Sequence, residues 1–426
     1  MSKSQSRRGI LKAAAAGTGL AFFGPFKHLS YAQGKKPIKL GLTCDASGQY
    51  GDSGQDDMRG MVMAIDEFNA KGGVLGRKIT YITQDTETTP ATGSRIAERF
   101  ITRDECGFLI GALSSGVANA VSQVAQKYGC IYLNSNSSSP TEAGKDCHRT
   151  KFVWDGNGTN FSKATVKNAV ASLGKNWLLL TNDYVWGINT SKATRAEIEA
   201  SGGKVIDELM VPQNTRDFTS YLLKIQQTKP DVVAAAIGGD DIKAMRQQVM
   251  QFKLDNKPAW INNQQDWPDV WGQGAESLFG VFGTNWYHKL KLPGVDDFVR
   301  RYQTRWKDAP IPVPGNVSYN GYMCTKELLR AIERAGSTNN IAVIKQLEQL
   351  KVSAVDRMQH YGAYMNPSTH HLQQTIYMAR RNEKPVDKTD LFEIVSWTKP
   401  EDVLDAREDD MACKLETYEA TPTFEL

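Results

Sequence analysis

The 426-residue sequence predicts an α/β protein of two doubly wound parallel-sheet units. Three observations lead there. Short apolar runs alternate with amphipathic helical patterns along most of the chain, as parallel strands joined by helical crossovers require. The alternation runs through two successive sets, parted near Trp154-Asp-Gly-Asn-Gly. Loops rich in Gly, Ser and Asn follow several strand patterns, at the carboxyl ends where open α/β sheets bind ligands.

The elements follow in order. Ile38–Thr43 reads as the first strand, and a Gly-rich loop leads from it into a helix. Met58, Met61, Val62, Ile65 and Phe68 recur at helical spacing and make one apolar face. Gly72-Gly73 ends that helix where a left-handed cap is needed. Ile79–Gln84, Phe108–Ile110 and Ile131–Leu133 complete the first set of strands, with helices over Ser94–Asp104 and Ala118–Tyr128. The second set holds strands at Trp177–Thr181, Lys204–Leu209, Val232–Ile237, Trp260–Ile261 and Leu278–Gly283. Helices at Ser162–Leu173, Thr190–Ser201 and Phe218–Gln227 lie between them. Beyond Trp286 come helices over Val295–Trp306, Asn316–Ala335 and Ile341–Leu350, and the Glu/Asp-rich stretch 399–426 reads as a surface tail.

Residues 48–79, GQYGDSGQDDMRGMVMAIDEFNAKGGVLGRKI, also carry a family likeness. The pattern SGxYGxxGxxxxxGxxxAxxxxNAxGGVxGRxI resembles the opening of periplasmic solute-binding proteins of ABC importers, the Leu/Ile/Val-binding family with the type I periplasmic-binding-protein fold. That resemblance implies two lobes joined by a multi-strand hinge. It implies that the chain returns to the first lobe after Trp286 and crosses back near Gln373–Ala379. The expected division is lobe 1 over 36–156 and 286–362, lobe 2 over 157–285 and 363–398, and a tail over 399–426.

The N-terminus reads as an export leader over residues 1–32. Ser6-Arg7-Arg8-Gly9-Ile10-Leu11-Lys12 resembles a twin-arginine signal, followed by a broken apolar run from Ala13 to Phe26 and small residues at Ser30 and Ala32. The run is shorter than the roughly 20 residues that span a bilayer. Lys3, Arg7, Arg8, Lys12 and Lys27 lie in this leader without an acid, so removing them takes the formal charge from +4 to about −1. Charge therefore lends no support to a nucleic-acid partner. The expectation is a soluble periplasmic monomer that meets the twin-arginine translocase during export.

Six cysteines, Cys44, Cys106, Cys130, Cys147, Cys324 and Cys413, permit disulfides in an oxidising compartment, and about 15 pairings are open. Neither they nor the adjacent His370-His371 show metal-ligand spacing, and no nucleophile elbow or P-loop is present. A binding protein with no cofactor, rather than an enzyme, is expected.

Candidate ligand contacts follow from the loops. Ser114 and Ser115 open a helix behind Gly111-Ala-Leu, an arrangement suited to an anion. Plain helix capping is the alternative. In the resembling family the matching serine holds the ligand's carboxylate. Asn136, Ser137 and Ser138 follow the next strand and offer further donors, and Tyr50 stands in the first loop. From the second lobe, Tyr184 and Trp186 present flat apolar faces with polar tips. Asn263 and Gln264 stand where the family's amino-acid binders place an acid for the ammonium, which leaves Asp240 as the substitute. The resemblance implies delivery of a small carboxylate-bearing solute to a membrane permease and its ATPase. An amino acid is favoured on family frequency. An amine-free ligand such as an aromatic acid, urea or a short amide, or a sensor role at a membrane receptor, is the alternative.

Overall fold

The computed structural model describes residues 35–425, so the expected leader lies outside the described residues. The first lobe opens with β1 (Ile38–Cys44), α1 (Gly51–Ala70), β2 (Ile79–Asp85), α2 (Pro90–Thr102), β3 (Phe108–Gly111), α3 (Ser115–Tyr128), β4 (Ile131–Asn134) and β5 (Lys151–Val153). The second lobe follows with α4 (Gly158–Leu173), β6 (Asn176–Asn182), α5 (Val185–Ala200), β7 (Lys204–Val211), α6 (Thr219–Thr228), β8 (Val232–Ala236), α7 (Gly239–Phe252), β9 (Ala259–Asn262) and β10 (Val281–Thr284). The chain returns as α8 (Val295–Arg305), α9 (Asn316–Ala335), α10 (Asn340–Glu348), β11 (Lys351–Val352), β12 (Ala363–Asn366) and β13 (His371–Gln373). It then leaves again for β14 (Ile376–Arg381) and β15 (Phe392–Thr398).

Each lobe is one sheet with helices on both faces. The first sheet runs β11-β12-β13-β5-β4-β3-β1-β2 and the second β15-β14-β10-β9-β8-β6-β7. The helix-linked strands pair in parallel, because a parallel neighbour needs a long crossover connection. The strand order reverses between β1 and β3 in one sheet and between β6 and β8 in the other. These are the two switch points at which an open sheet leaves a crevice.

One boundary moves. The return to the second lobe was expected at residue 363, but β12 and β13 pair within the first sheet, β13 lying parallel to β5. The crossing falls after Gln373. β13, at three residues, is too short to carry a readable period.

Packing explains the glycines of the opening motif. Gly72 and Gly73 both have positive φ, and the Gly73 N–H closes the end of α1 on the Phe68 carbonyl at 2.9 Å. Gly60 lets α1 lie flush on α9, since a Cβ there would stand 2.0 Å from the Ser318 carbonyl oxygen. Met61, Val62 and Ile65 are buried in the core alongside Met323 and Leu328 of α9.

Residues 399–425 form a strap, not a loose tail. It runs from β15 past the hinge to the first lobe, where Cys413 is bonded to Cys147. Glu416 accepts hydrogen bonds from the Arg149 N–H at 2.7 Å and pairs with His148 Nδ1 at 2.8 Å. Cys44, Cys106, Cys130 and Cys324 remain buried thiols. Burial pushes Cys44 and Cys106 up to about 12, which keeps them unreactive.

Where the strap passes the hinge, Asp405 is buried against His371. Both carboxylate oxygens lie 2.8 Å from His371 Nδ1, and the strap carboxylate also accepts from Asn157 Nδ2 at 2.7 Å. Burial opposes charge on the His371 ring, but Asp405 outweighs it and holds the ring above the usual histidine range.

Gly60→Ala should destabilise the protein by about 1–3 kcal/mol, the usual range for overpacking a close backbone contact. Urea unfolding of wild type and variant measures the difference. An unchanged midpoint would mean that α1 and α9 have room to separate.

Candidate functional site

The carboxyl ends of both sheets face one cleft. Its walls are Tyr50 after β1, Leu113 after β3, Asn136 and Ser138 after β4, Tyr184 and Trp186 after β6, Ile237, Gly238 and Ile242 around the start of α7, and Gln264, Asp266 and Asp269 after β9. The rims meet across it. The Tyr50 and Tyr184 hydroxyls are hydrogen-bonded to each other. Gln49 Nε2 donates to the Gly238 carbonyl and to Asp241 Oδ2, each at 3.1 Å. Lys243 Nζ reaches Asp52 at 2.8 Å, and the Ser138 hydroxyl donates to Gln264 Oε1 at 2.7 Å. The enclosed free space is about 20 Å³, room for a water or two. A solute larger than that does not fit with the rims at this spacing.

The expected contacts divide. Tyr50, Asn136, Ser138, Tyr184, Trp186 and Gln264 line the cavity. Ser114, Ser115, Ser137, Asp240 and Asn263 are not among its lining residues. The Ser115 hydroxyl accepts from the Ser139 N–H at 3.2 Å, and Ser137 donates to the buried Glu142 at 2.5 Å. Asn263 is turned into the second lobe, where its Nδ2 meets the Ser162 hydroxyl at 2.7 Å. Asp240 is partly exposed, is held by Lys243 at 3.1 Å and Arg216 at 3.3 Å, and does not line the cavity in this arrangement.

The anion-binding arrangement at the start of α3 is occupied from within. The backbone N–H groups of Leu113 and Ser114 donate to Oδ2 of the buried Asp45, at 2.7 and 2.8 Å, and the Thr86 hydroxyl donates to Asp45 Oδ1. Burial pushes the Asp45 carboxyl up, and those donors draw it partly back.

Asp266 and Asp269 are the cleft carboxylates that sequence reasoning missed. The turn carrying them packs onto the first lobe: the Trp267 N–H donates to Asn316 Oδ1 at 2.9 Å, and Asn316 Nδ2 donates to Asp266 Oδ1 at 2.7 Å. Burial pushes the Asp269 carboxyl up to about 7, against the pull of Lys243 Nζ 4.0 Å away. Burial raises Asp266 as well, opposed by hydrogen bonds from Asn316 and Gln264. The signal available in the sequence was the pair of acids three residues apart just beyond the amide run Asn262–Gln265.

Because Asp269 titrates near 7 when folded, against 3.8 ordinarily, the native state holds more protons than the unfolded chain between those values. Its contribution to stability therefore falls as pH rises through that window. Asp269→Asn should melt higher than wild type at pH 8, by about 1–4 kcal/mol, with the gain vanishing near pH 4. Calorimetry across pH 4–8 checks this, and a gain that does not vary with pH would refute the ionisation behind it.

Comparison with known proteins agrees with this architecture. The sequence profile described as periplasmic binding protein matches residues 37–385. The Leu/Ile/Val-binding protein homolog 7 of Brucella abortus (strain 2308) is 25% identical over 342 residues, covering 76% of this chain and 84% of that protein. A periplasmic binding protein from Burkholderia mallei superposes with a TM-score of 0.81 at 23% identity, over 88% of this chain and 98% of that one. A solute-binding protein of an ABC transporter from Rhodopseudomonas palustris BisB5, in complex with 3,4-dihydroxybenzoic acid, superposes at 0.77 with 19% identity, over 87% and 98% of the two chains. Among the described residues no helix is long and apolar enough to cross a membrane. With the profile spanning most of the chain and both lobes reproduced, this chain belongs to the periplasmic binding protein family.

Proposed function

We propose that the protein is the extracytoplasmic capture component of an ABC importer. It closes its lobes on a small organic solute and presents the closed form, as a monomer, to a membrane permease and its ATPase. The observation that carries this reading is the cavity itself. It is walled by carboxyl-end loops of both sheets, and Tyr50 and Gln49 of one rim bond Tyr184 and Gly238 of the other across it. Hinge closure around a ligand is the motion such an arrangement serves.

An amino acid is the favoured solute, in keeping with relatives named Leu/Ile/Val-binding. An aromatic acid is the second reading. It draws on the rings of Tyr50, Tyr184 and Trp186 and on the likeness to a protein solved with 3,4-dihydroxybenzoic acid.

Thermal shift and small-angle scattering with leucine, phenylalanine, benzoate and urea test the capture reading. A bound solute at about 100 times its Kd should add about 2.7 kcal/mol to stability. It should also hold the scattering profile in the closed form. No response to any class of small solute in either measurement would count against it.

Export through the twin-arginine pathway belongs to the same reading, on the evidence of Arg7-Arg8 ahead of an apolar run. Arg7→Lys with Arg8→Lys should leave precursor in the cytoplasm. Undiminished accumulation in a strain without the translocase would redirect the protein to another export route.

A further inference from the structure

The chain passes between the sheets after β5, after β10 and after β13. The strap adds a further passage. Its first part is held by the second lobe. Val403 is buried with Phe161 and Ala164 of α4 and Ile376 of β14. Asn160 Nδ2 donates to the Val403 carbonyl and Lys163 Nζ to the Leu404 carbonyl, each at 2.6 Å. Its last part is held by the first lobe. Cys413 is bonded to Cys147, and Glu416 meets His148 and Arg149. Asn340 Nδ2 donates to the Pro422 carbonyl at 2.8 Å, and the Asn340 N–H donates to the Phe424 carbonyl at 2.9 Å.

Residues 406–412 lie between the two sets of anchors, and Arg407–Ala412 of these form a short helix. None of its residues is buried, and no side chain caps its start. On one side Asp409 lies against Gly144 of the first lobe, where a Cβ would stand 3.2 Å from the Asp409 Cβ. Beside it is a cavity of about 310 Å³, walled by Thr141 and Lys145 of the first lobe, Asn189 and Lys192 of α5, and Glu408 and Asp409 of the strap. The helix therefore bridges the space between the lobes and enters neither core. A helix this short is marginal by itself, because few hydrogen bonds repay its nucleation. Its six residues span about 9 Å as helix and about 20 Å extended.

We propose that the strap is a covalent tether between the lobes, which holds them near the closed spacing before any solute arrives, with Arg407–Ala412 as the span that unwinds when they part. One end of the span continues by peptide bonds into β15, and the other is locked to Cys147. Fixed at both ends, it lengthens only by giving up helical hydrogen bonds. The proposal rests on the hinge motion of the capture reading and adds a restraint to it. A bond that merely fastened the first lobe would be indifferent to the length of this span.

That difference is the test. Inserting Gly-Ser-Gly-Gly-Ser-Gly between Asp409 and Asp410 keeps every anchor and adds about 20 Å of reach. Ending the chain at Ala412, with Cys147→Ser, removes the first-lobe anchors. Small-angle scattering without solute should give both forms a radius of gyration about 1 Å above that of wild type, which a compact chain of this length puts at roughly 21 Å. Peptide mapping confirms the bond between Cys147 and Cys413 in the insertion form, and melting transitions show that the variants fold. The insertion decides the matter if the shortened chain does not fold. An insertion form with the wild-type radius overturns the proposal, whatever the shortened chain does. The solute screen reads capture separately. Solutes that stabilise wild type while the insertion leaves the radius unchanged keep capture and remove the tether. Enlarged variants with no solute registering keep the tether and remove capture. Neither response removes both.

Discussion

Asp155 ties together the segments on which the two lobes turn. It sits where β5 leaves the first sheet, and its Oδ1 accepts the Asn285 amide of the second crossing at 2.7 Å. Its carbonyl accepts His371 Nε2, at the third crossing, at 2.7 Å. Its Oδ2 takes Gln264 Nε2 at 2.8 Å, which links the hinge to the cleft wall. Gln374 closes the ring by donating to the Trp154 carbonyl at 2.7 Å. These groups are buried, and an unpaired buried polar group is costly, so the crossings hold one geometry together. Some of the rim contacts are more exposed, Lys243 to Asp52 among them.

Most of the fold was legible because it repeats a readable unit. The helix period over Met58–Phe68, the Gly72-Gly73 stop and the following strand identify one crossover, and later crossovers repeat the pattern. Part of what escaped notice lacked a period. β5 and β13 are three residues each, and β11 is two. α7 is polar along much of Gly239–Phe252 and was not among the helices read from the sequence. The strap owes its place to single contacts, Asp405 to His371 and Cys413 to Cys147, and no composition announces those.

The cleft was harder to read than the frame, for a geometric reason. β4 and β9 each run one residue past where the apolar pattern ends, to Asn134 and Asn262, so those first polar positions lie inside the lobe and the rim begins later. Asn262 closes β9 and Asn263 points to Ser162, and only from Gln264 onward do side chains reach the cavity. At the start of α3 the backbone donors are where the sequence placed them, but a carboxylate from the end of β1 arrived first. Asp45 was one of several acids in a polar loop, and nothing in its neighbours marked it as buried.

The bond between Cys147 and Cys413 spans 266 residues of sequence. Its second cysteine follows every strand of both sheets in the chain. The first lobe, begun by the earliest strands, is thus sealed by a segment synthesised after both sheets. A chain that stops short of residue 413 would still contain both sheets. It would lack its final fastening and leave the thiol of Cys147 with no mate. Synthesis past residue 413 is in this sense recorded chemically in the folded protein, as an intact cross-link.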